Sequence, residues 1–137
     1  MPDLNHQQQI DLTILIVTLL DDWQVGNADK ITLLALPAKT RTRALPRYLQ
    51  GNPLPFTPQI LQHIEHLLGI ADALRLANPR NAQAGALWLR RPLSRLQGRT
   101  PLEIMLTEGL PGIITVRKHL DCSYDWHTDA QSHRPMK

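Results

Sequence analysis

Cysteine occurs once in this 137-residue chain, at Cys122, so no internal disulfide can form. A lone thiol fits a reducing compartment, and the expected location is the cytoplasm. Aromatics make up only 4% of the residues, so leucine and isoleucine must build most of the core, with three Trp as larger anchors. No stretch alternates apolar and polar residues as a half-buried strand requires, and no fixed-period repeat is visible. A glycine-rich phosphate cradle is also missing. The apolar run 10–20 is too short to span a bilayer, which takes about 20 apolar residues, and Asp11, Thr13 and Thr18 interrupt it. A signal peptide would carry a basic residue ahead of that run, yet the first Lys or Arg is Lys30. No membrane association is expected, and the run reads as a buried amphipathic helix.

Charge of one sign is missing from three segments. From Met1 to Asp29 there are five acids and no Lys or Arg. From Lys30 to Ile64 the charges are Lys30, Lys39, Arg41, Arg43 and Arg47, with no acid. From Ala73 to Leu102 there are six Arg and again no acid. Two basic blocks point to polyanionic or acidic-protein partners, against the plain alternative of a solvated basic face.

What is present is a series of helices. The spacing of Ile10, Ile14, Val17 and Leu20 predicts a first helix over 10–25. Asn27 is the expected cap of a second over 28–36, stopped by Pro37. A third should occupy 40–50, closed by Gly51. After a rigid Pro-rich linker, Thr57 and Pro58 open a helix carrying Ile60, Leu61, Ile64, Leu67 and Leu68 on one stripe. That helix either continues through Gly69 towards Ala77 or breaks there. Asn81 should cap a helix ending near Arg91 and Pro92. Thr100, Pro101 and Glu103 form a capping box for the next helix, and Gly109 ends it in a left-handed conformation. Pro111 can start the last helix, whose apolar positions are Ile113, Ile114, Val116 and Leu120. From Tyr124 onward the chain reads as a poorly ordered polar tail. The expected class is all-α, and the length suits one ordinary domain or two small modules sharing a core.

The second and third expected helices are short and joined through Pro37, Ala38 and Lys39, a helix-turn-helix layout. In that motif the second helix enters the major groove, with residues near its start facing base edges. Here that start reads Lys39, Thr40, Arg41, Thr42 and Arg43, with Arg47 and Tyr48 placed to hold the DNA backbone. Pro46 falls inside this element and costs roughly 3 kcal/mol in a regular helix interior. Either the helix begins near Leu45 and Arg41 and Arg43 belong to a loop, or the unit is a three-helix packing module with a wet basic face. Further along, Arg90, Arg91, Arg95 and Arg99 crowd one connection beside Trp88. Arg and Trp are the usual anchors of protein interfaces, although Trp88 is also a natural core residue.

Catalytic constellations are not expected. His63 and His66 could offer two metal ligands, but no third follows, and both are read as surface histidines. Cys122 has His119 nearby without a third group to orient the base. Glu103 and Glu108 are explained by the helix cap and helix end. The expectation is a non-catalytic protein with no cofactor and no metal.

Taken in order, the small-residue helix ending Trp88-Leu89 before Pro92, the loop Gly98-Arg99-Thr100-Pro101-Leu102-Glu103, the Glu108-Gly109 stop and the closing Val116-Arg117-Lys118-His119-Leu120-Asp121 resemble one family. Residues 82–124 resemble the toxin-binding domain of Xre/MbcA/ParS-like antitoxins, and residues 10–77 are similar to the Xre-like helix-turn-helix module that precedes it. The resemblance implies an organisation of 1–78 as helix-turn-helix module, 79–124 as toxin-binding domain and 125–137 as flexible tail. It implies a type II antitoxin that pairs with a RES-domain toxin, an NAD-degrading enzyme, and blocks its active-site entrance. It also implies operator DNA binding through Lys39, Thr40, Arg41, Thr42, Arg43, Arg47 and Tyr48. The toxin contacts implied near the end of the domain are Arg117, Lys118, Leu120, Asp121, Cys122 and Tyr124, with Trp126 as an extension; Arg90, Arg91 and Arg99 join them from the basic connection. The family habit and the two-fold symmetry of operators imply a homodimer. The alternative is a stand-alone helical DNA-binding regulator or adaptor without a toxin partner.

Overall fold

The computed structural model describes residues 4–81 and 83–132, and for 122–132 it describes the backbone alone. The described chain is all helical, with no strand among the described residues: α1 (His6–Asp22), α2 (Asn27–Leu33), a 3-10 helix over Thr42–Gln50, α3 (Pro58–Ala77), α4 (Ala84–Leu89), a short 3-10 turn over Ser94–Leu96, α5 (Pro101–Glu108) and α6 (Leu110–Ser132).

α1 starts earlier than the apolar spacing predicts because its cap is purely polar. The Asn5 side chain accepts from the Gln8 amide at 2.8 Å, and the Gln8 side chain accepts from the Asn5 amide at 3.0 Å. This is a capping box built from amides, ahead of Ile10, the first apolar residue within the helix. The helix buries Thr13, Ile16, Val17 and Leu20. The Thr13 hydroxyl donates to the Gln9 carbonyl and accepts from the Leu54 amide at 2.9 Å, tying the Pro-rich linker to α1.

α1 and α2 both end in residues other than glycine with positive φ, Gln24 at 62° and Ala35 at 58°. In each case the next amide reaches back five residues, Val25 to the Leu20 carbonyl and Leu36 to Ile31. These are Schellman turns. The second one stops α2 at Leu33, short of Leu36, and turns Leu34 and Leu36 into the core. Asn27 does not cap α2; Gly26 does, and the Asn27 side chain instead accepts from the Lys30 ammonium.

The third element is a 3-10 helix with Pro46 inside it, not the regular α-helix of a recognition helix. Proline has no N–H for the α-helical ladder and its ring crowds the carbonyl four residues back. Leu45 is the buried anchor of this element, and Gly51 closes it at φ 102°.

α3 runs unbroken through Gly69, its start held by the Thr57 side chain accepting from the Ile60 amide. α6 packs along it. A Cβ at residue 69 would run into the Arg117 guanidinium of α6, so the glycine is what admits that arginine. α5 is fenced as the sequence predicts: Thr100 and Glu103 form the capping box, at 3.0 and 2.8 Å. Gly109 has φ 68° and ψ −141°, outside the left-handed helical well expected of it and in a region open essentially to glycine alone. That conformation folds the chain straight into α6, where a Cβ at Gly112 would strike the Ile104 carbonyl oxygen. One hydrophobic cluster spans the chain, from Ile16 and Leu20 of α1 through Ile64 and Leu67 of α3 to Met105, Ile113 and Val116.

α6 continues to Ser132, beyond the Tyr124 at which the sequence reading expected order to end. No proline or glycine lies between Gly112 and Pro135 to stop it. No helix among the described residues is long and apolar enough to cross a membrane.

Candidate partner-binding surfaces

The connection between α4 and α5 gathers four arginines that the structure treats differently. Arg90 is exposed, but its guanidinium donates to the Trp23 and Gln24 carbonyls, both at 2.7 Å, and to Ala86 at 3.2 Å. It satisfies the open carbonyl end of α1, where a cation is favoured. Arg99 donates to Glu108 at 3.0 Å and to the Thr107 hydroxyl at 2.6 Å, bracing the two ends of α5. Arg91 and Arg95 are exposed and make no ion pair or side-chain hydrogen bond among the described residues.

Across from this loop, His119 of α6 stacks on Trp88 of α4, with ring centroids 6.1 Å apart and planes at 30°. Trp88 is partly buried, its inner side packed on the core. Burial lowers the His119 pKa below its ordinary value, and the nearby Arg95 charge lowers it further. The sequence offered both residues, but nothing local links them; only the packing of α6 beside α4 makes the pair.

The residues expected to meet a toxin from α6 separate in the same way. Leu120 is a core residue, 7% exposed, and is not available as a surface contact. Arg117 is partly buried and donates to His66 Nδ1 at 3.1 Å. Lys118 and Asp121 are exposed. Cys122, Tyr124 and Trp126 sit on α6 by backbone, and their side chains lie outside the described residues.

His63 is not a surface residue. It is 3% exposed, with Nδ1 2.8 Å from the Leu33 carbonyl oxygen, so Nδ1–H is the donor there. Burial holds its pKa below the ordinary value, the Leu33 hydrogen bond opposes this, and His66 adds to the lowering. No group of three or more His, Cys, Asp or Glu among the described residues could hold a metal ion.

At the front, Lys39, Arg41, Thr42, Arg43 and Arg47 are exposed, while Thr40 and Tyr48 are partly buried and Tyr48 packs on the core. Lys39 to Arg41 precede the 3-10 helix. Lys30, which begins this basic block in the sequence, does not belong to its surface: it is buried and paired with Asp21 and Asn27. The four remaining cations form no ion pair among the described residues.

Residues 73–122, from the last turns of α3 to the middle of α6, match the antitoxin Xre/MbcA/ParS C-terminal toxin-binding domain. The likeness to that family is confined to this segment. The match starts inside α3, ahead of the point near residue 82 where the sequence resemblance begins, and so includes part of the surface on which α6 packs. The chain is also similar to an uncharacterized protein, y4oB, of Sinorhizobium fredii (strain NBRC 101917 / NGR234), with 29% identity over 103 residues, 75% of this chain and 76% of that protein. No solved structure matches the chain. The matched residues 73–122 thus take in the end of α3, all of α4 and α5 and the first half of α6, with α6 packed along α3.

Proposed function

We propose that this chain is the antitoxin of a type II toxin–antitoxin system, acting in the cytoplasm on a RES-domain toxin and blocking the entrance to its NAD-degrading active site. The observation that carries this reading is the match of residues 73–122 to an antitoxin's toxin-binding domain. The reading assigns the contact to the exposed cations Arg91 and Lys118, to Asp121, and to Cys122, Tyr124 and Trp126 on the outer half of α6. Arg90, Arg99, Arg117 and Leu120 support that surface from within: each is already committed to hydrogen bonds or to the core. The protein performs no chemistry in this account and needs no cofactor.

The same reading includes operator DNA as a second ligand, met by Lys39, Thr40, Arg41, Thr42, Arg43, Arg47 and Tyr48, and a homodimer that matches operator symmetry. The unpaired cations of this stretch support phosphate contacts. A 3-10 helix interrupted by Pro46 is a poor rod for base reading, so the contribution to DNA affinity is mainly electrostatic. Co-expression with the product of the adjacent toxin gene tests the proposal. The expected result is restored growth and a complex that survives pull-down; growth arrest despite full expression of this chain would overturn it.

A further inference from the structure

We propose that the stacked pair Trp88–His119, together with the guanidiniums of Arg91 and Arg95, is the docking site for an acidic segment of the toxin. This rests on the antitoxin reading above and adds Trp88, Arg95 and His119 to the contact that reading assigns to Arg91. α4 and α6 hold the two rings against each other, and Trp88 keeps part of its surface open. A partly open indole stacked on a histidine that the unpaired Arg95 acts on, with Arg91 three residues after the Trp, has the composition of an interface anchor, since Trp buries large area at low entropic cost and Arg forks onto carboxylates.

The four arginines of the connection divide sharply. Arg90 and Arg99 are occupied by the fold, whereas Arg91 and Arg95 have no partner among the described residues. The loop that presents them is closed on itself. The Leu93 amide donates to the Arg99 carbonyl at 3.2 Å, and the Gly98 amide donates to the Leu93 carbonyl at 2.9 Å. That frame encloses Arg95, so binding there need order only its side chain and not the backbone that carries it. No acid occurs from Ala73 to Leu102, and among the described residues neither Arg91 nor Arg95 is in an ion pair, so the complement these two cations lack is a carboxylate-bearing segment.

His119 adds a dependence on pH. Trp88 of α4 and Arg95 of the connection face it, Lys118 and Leu120 flank it on α6, and Arg95 is the charged group that acts on it among the described residues. Both burial and Arg95 disfavour its protonated form. A docked carboxylate reverses part of that penalty, so binding takes up a proton and tightens as pH falls.

The test is the affinity of the full chain for the purified, catalytically silenced toxin encoded beside it, at low and high salt. Trp88→Ala should weaken binding about tenfold or more. Arg95→Glu should weaken it about tenfold at low salt and less at high salt, because screening removes the charge term. Arg95 is exposed, so its variant folds, and circular dichroism verifies this. Arg80→Glu, the same charge change on the α3–α4 turn, should have no effect. Wild-type affinity should rise between about pH 7.5 and about pH 6, and His119→Gln should flatten the rise. Equal binding by Arg95→Glu and Arg80→Glu would overturn the site while leaving the antitoxin reading intact. Loss of DNA binding by Arg95→Glu with toxin affinity unchanged would overturn the choice of occupant. Failure of the wild-type chain to bind the toxin at all would overturn both.

Discussion

At the N-terminus of α5 the Thr100 hydroxyl accepts from the Glu103 amide, and the Thr100 amide donates in return to the Glu103 carboxylate. Thr100→Ala should therefore lower stability by about 1 kcal/mol, read from urea denaturation; an unchanged midpoint would show that the box contributes nothing. This cap was legible in the sequence because its partners are three residues apart and Pro101 marks the first turn. Residues whose partners are distant were not legible. Lys30 looks like one more surface cation until Asp21 and Asn27 are seen to enclose it. His63 looks like a surface imidazole until the Leu33 carbonyl is found beside it. Its pKa is lower in the folded chain than the ordinary 6.5, so on acidification the unfolded chain takes up the proton first. The stability this group contributes is complete above about pH 6.5 and declines as pH drops below that value. His119 shifts the same way. Thermal melts from neutral to mildly acid pH should show stability falling, and His63→Gln should reduce that slope; an identical slope in the variant would assign the effect elsewhere.

At the scale of elements, the helices came through where apolar spacing and local caps coincide, as in α3 and α5. Their ends did not come through where the stop is a non-glycine residue with positive φ. Gln24 and Ala35 carry no sequence mark of that conformation, and the Leu36 turn depends on burying Leu34 and Leu36 rather than on local propensity. Pro46 was legible as a disturbance, and the structure resolves it as a 3-10 helix. The continuation of α6 to Ser132 was hidden by polar composition, although nothing in that stretch breaks a helix. The junction of α5 and α6 depends on Gly112, which lets α6 approach the Ile104 carbonyl. Gly112→Ala should cost about 1–3 kcal/mol, the range expected of overpacking against an unyielding neighbour. Chemical denaturation checks this, and wild-type stability in the variant would mean that the two helices separate more easily than their contact suggests.

Over the whole molecule, charge is segregated along one continuous hydrophobic core. The front basic stretch and the arginine-rich connection lie on different elements, and their ligands should be separable. Arg41→Ala with Arg43→Ala should weaken operator binding, reduce the slope of affinity against salt by up to about two, and leave toxin neutralisation intact. Loss of both properties together would show that the two surfaces are not independent. The toxin-binding domain was legible because its motif is contiguous in sequence; the surface it presents was not, since that surface depends on α3, α4 and α6 packing together. The central claim is that this protein acts by occlusion. Titrating the purified full chain into the purified toxin, with NAD consumption as the readout, tests it most directly. NAD consumption should fall linearly and stop at a fixed stoichiometry, whereas undiminished consumption in the presence of excess chain would contradict the account.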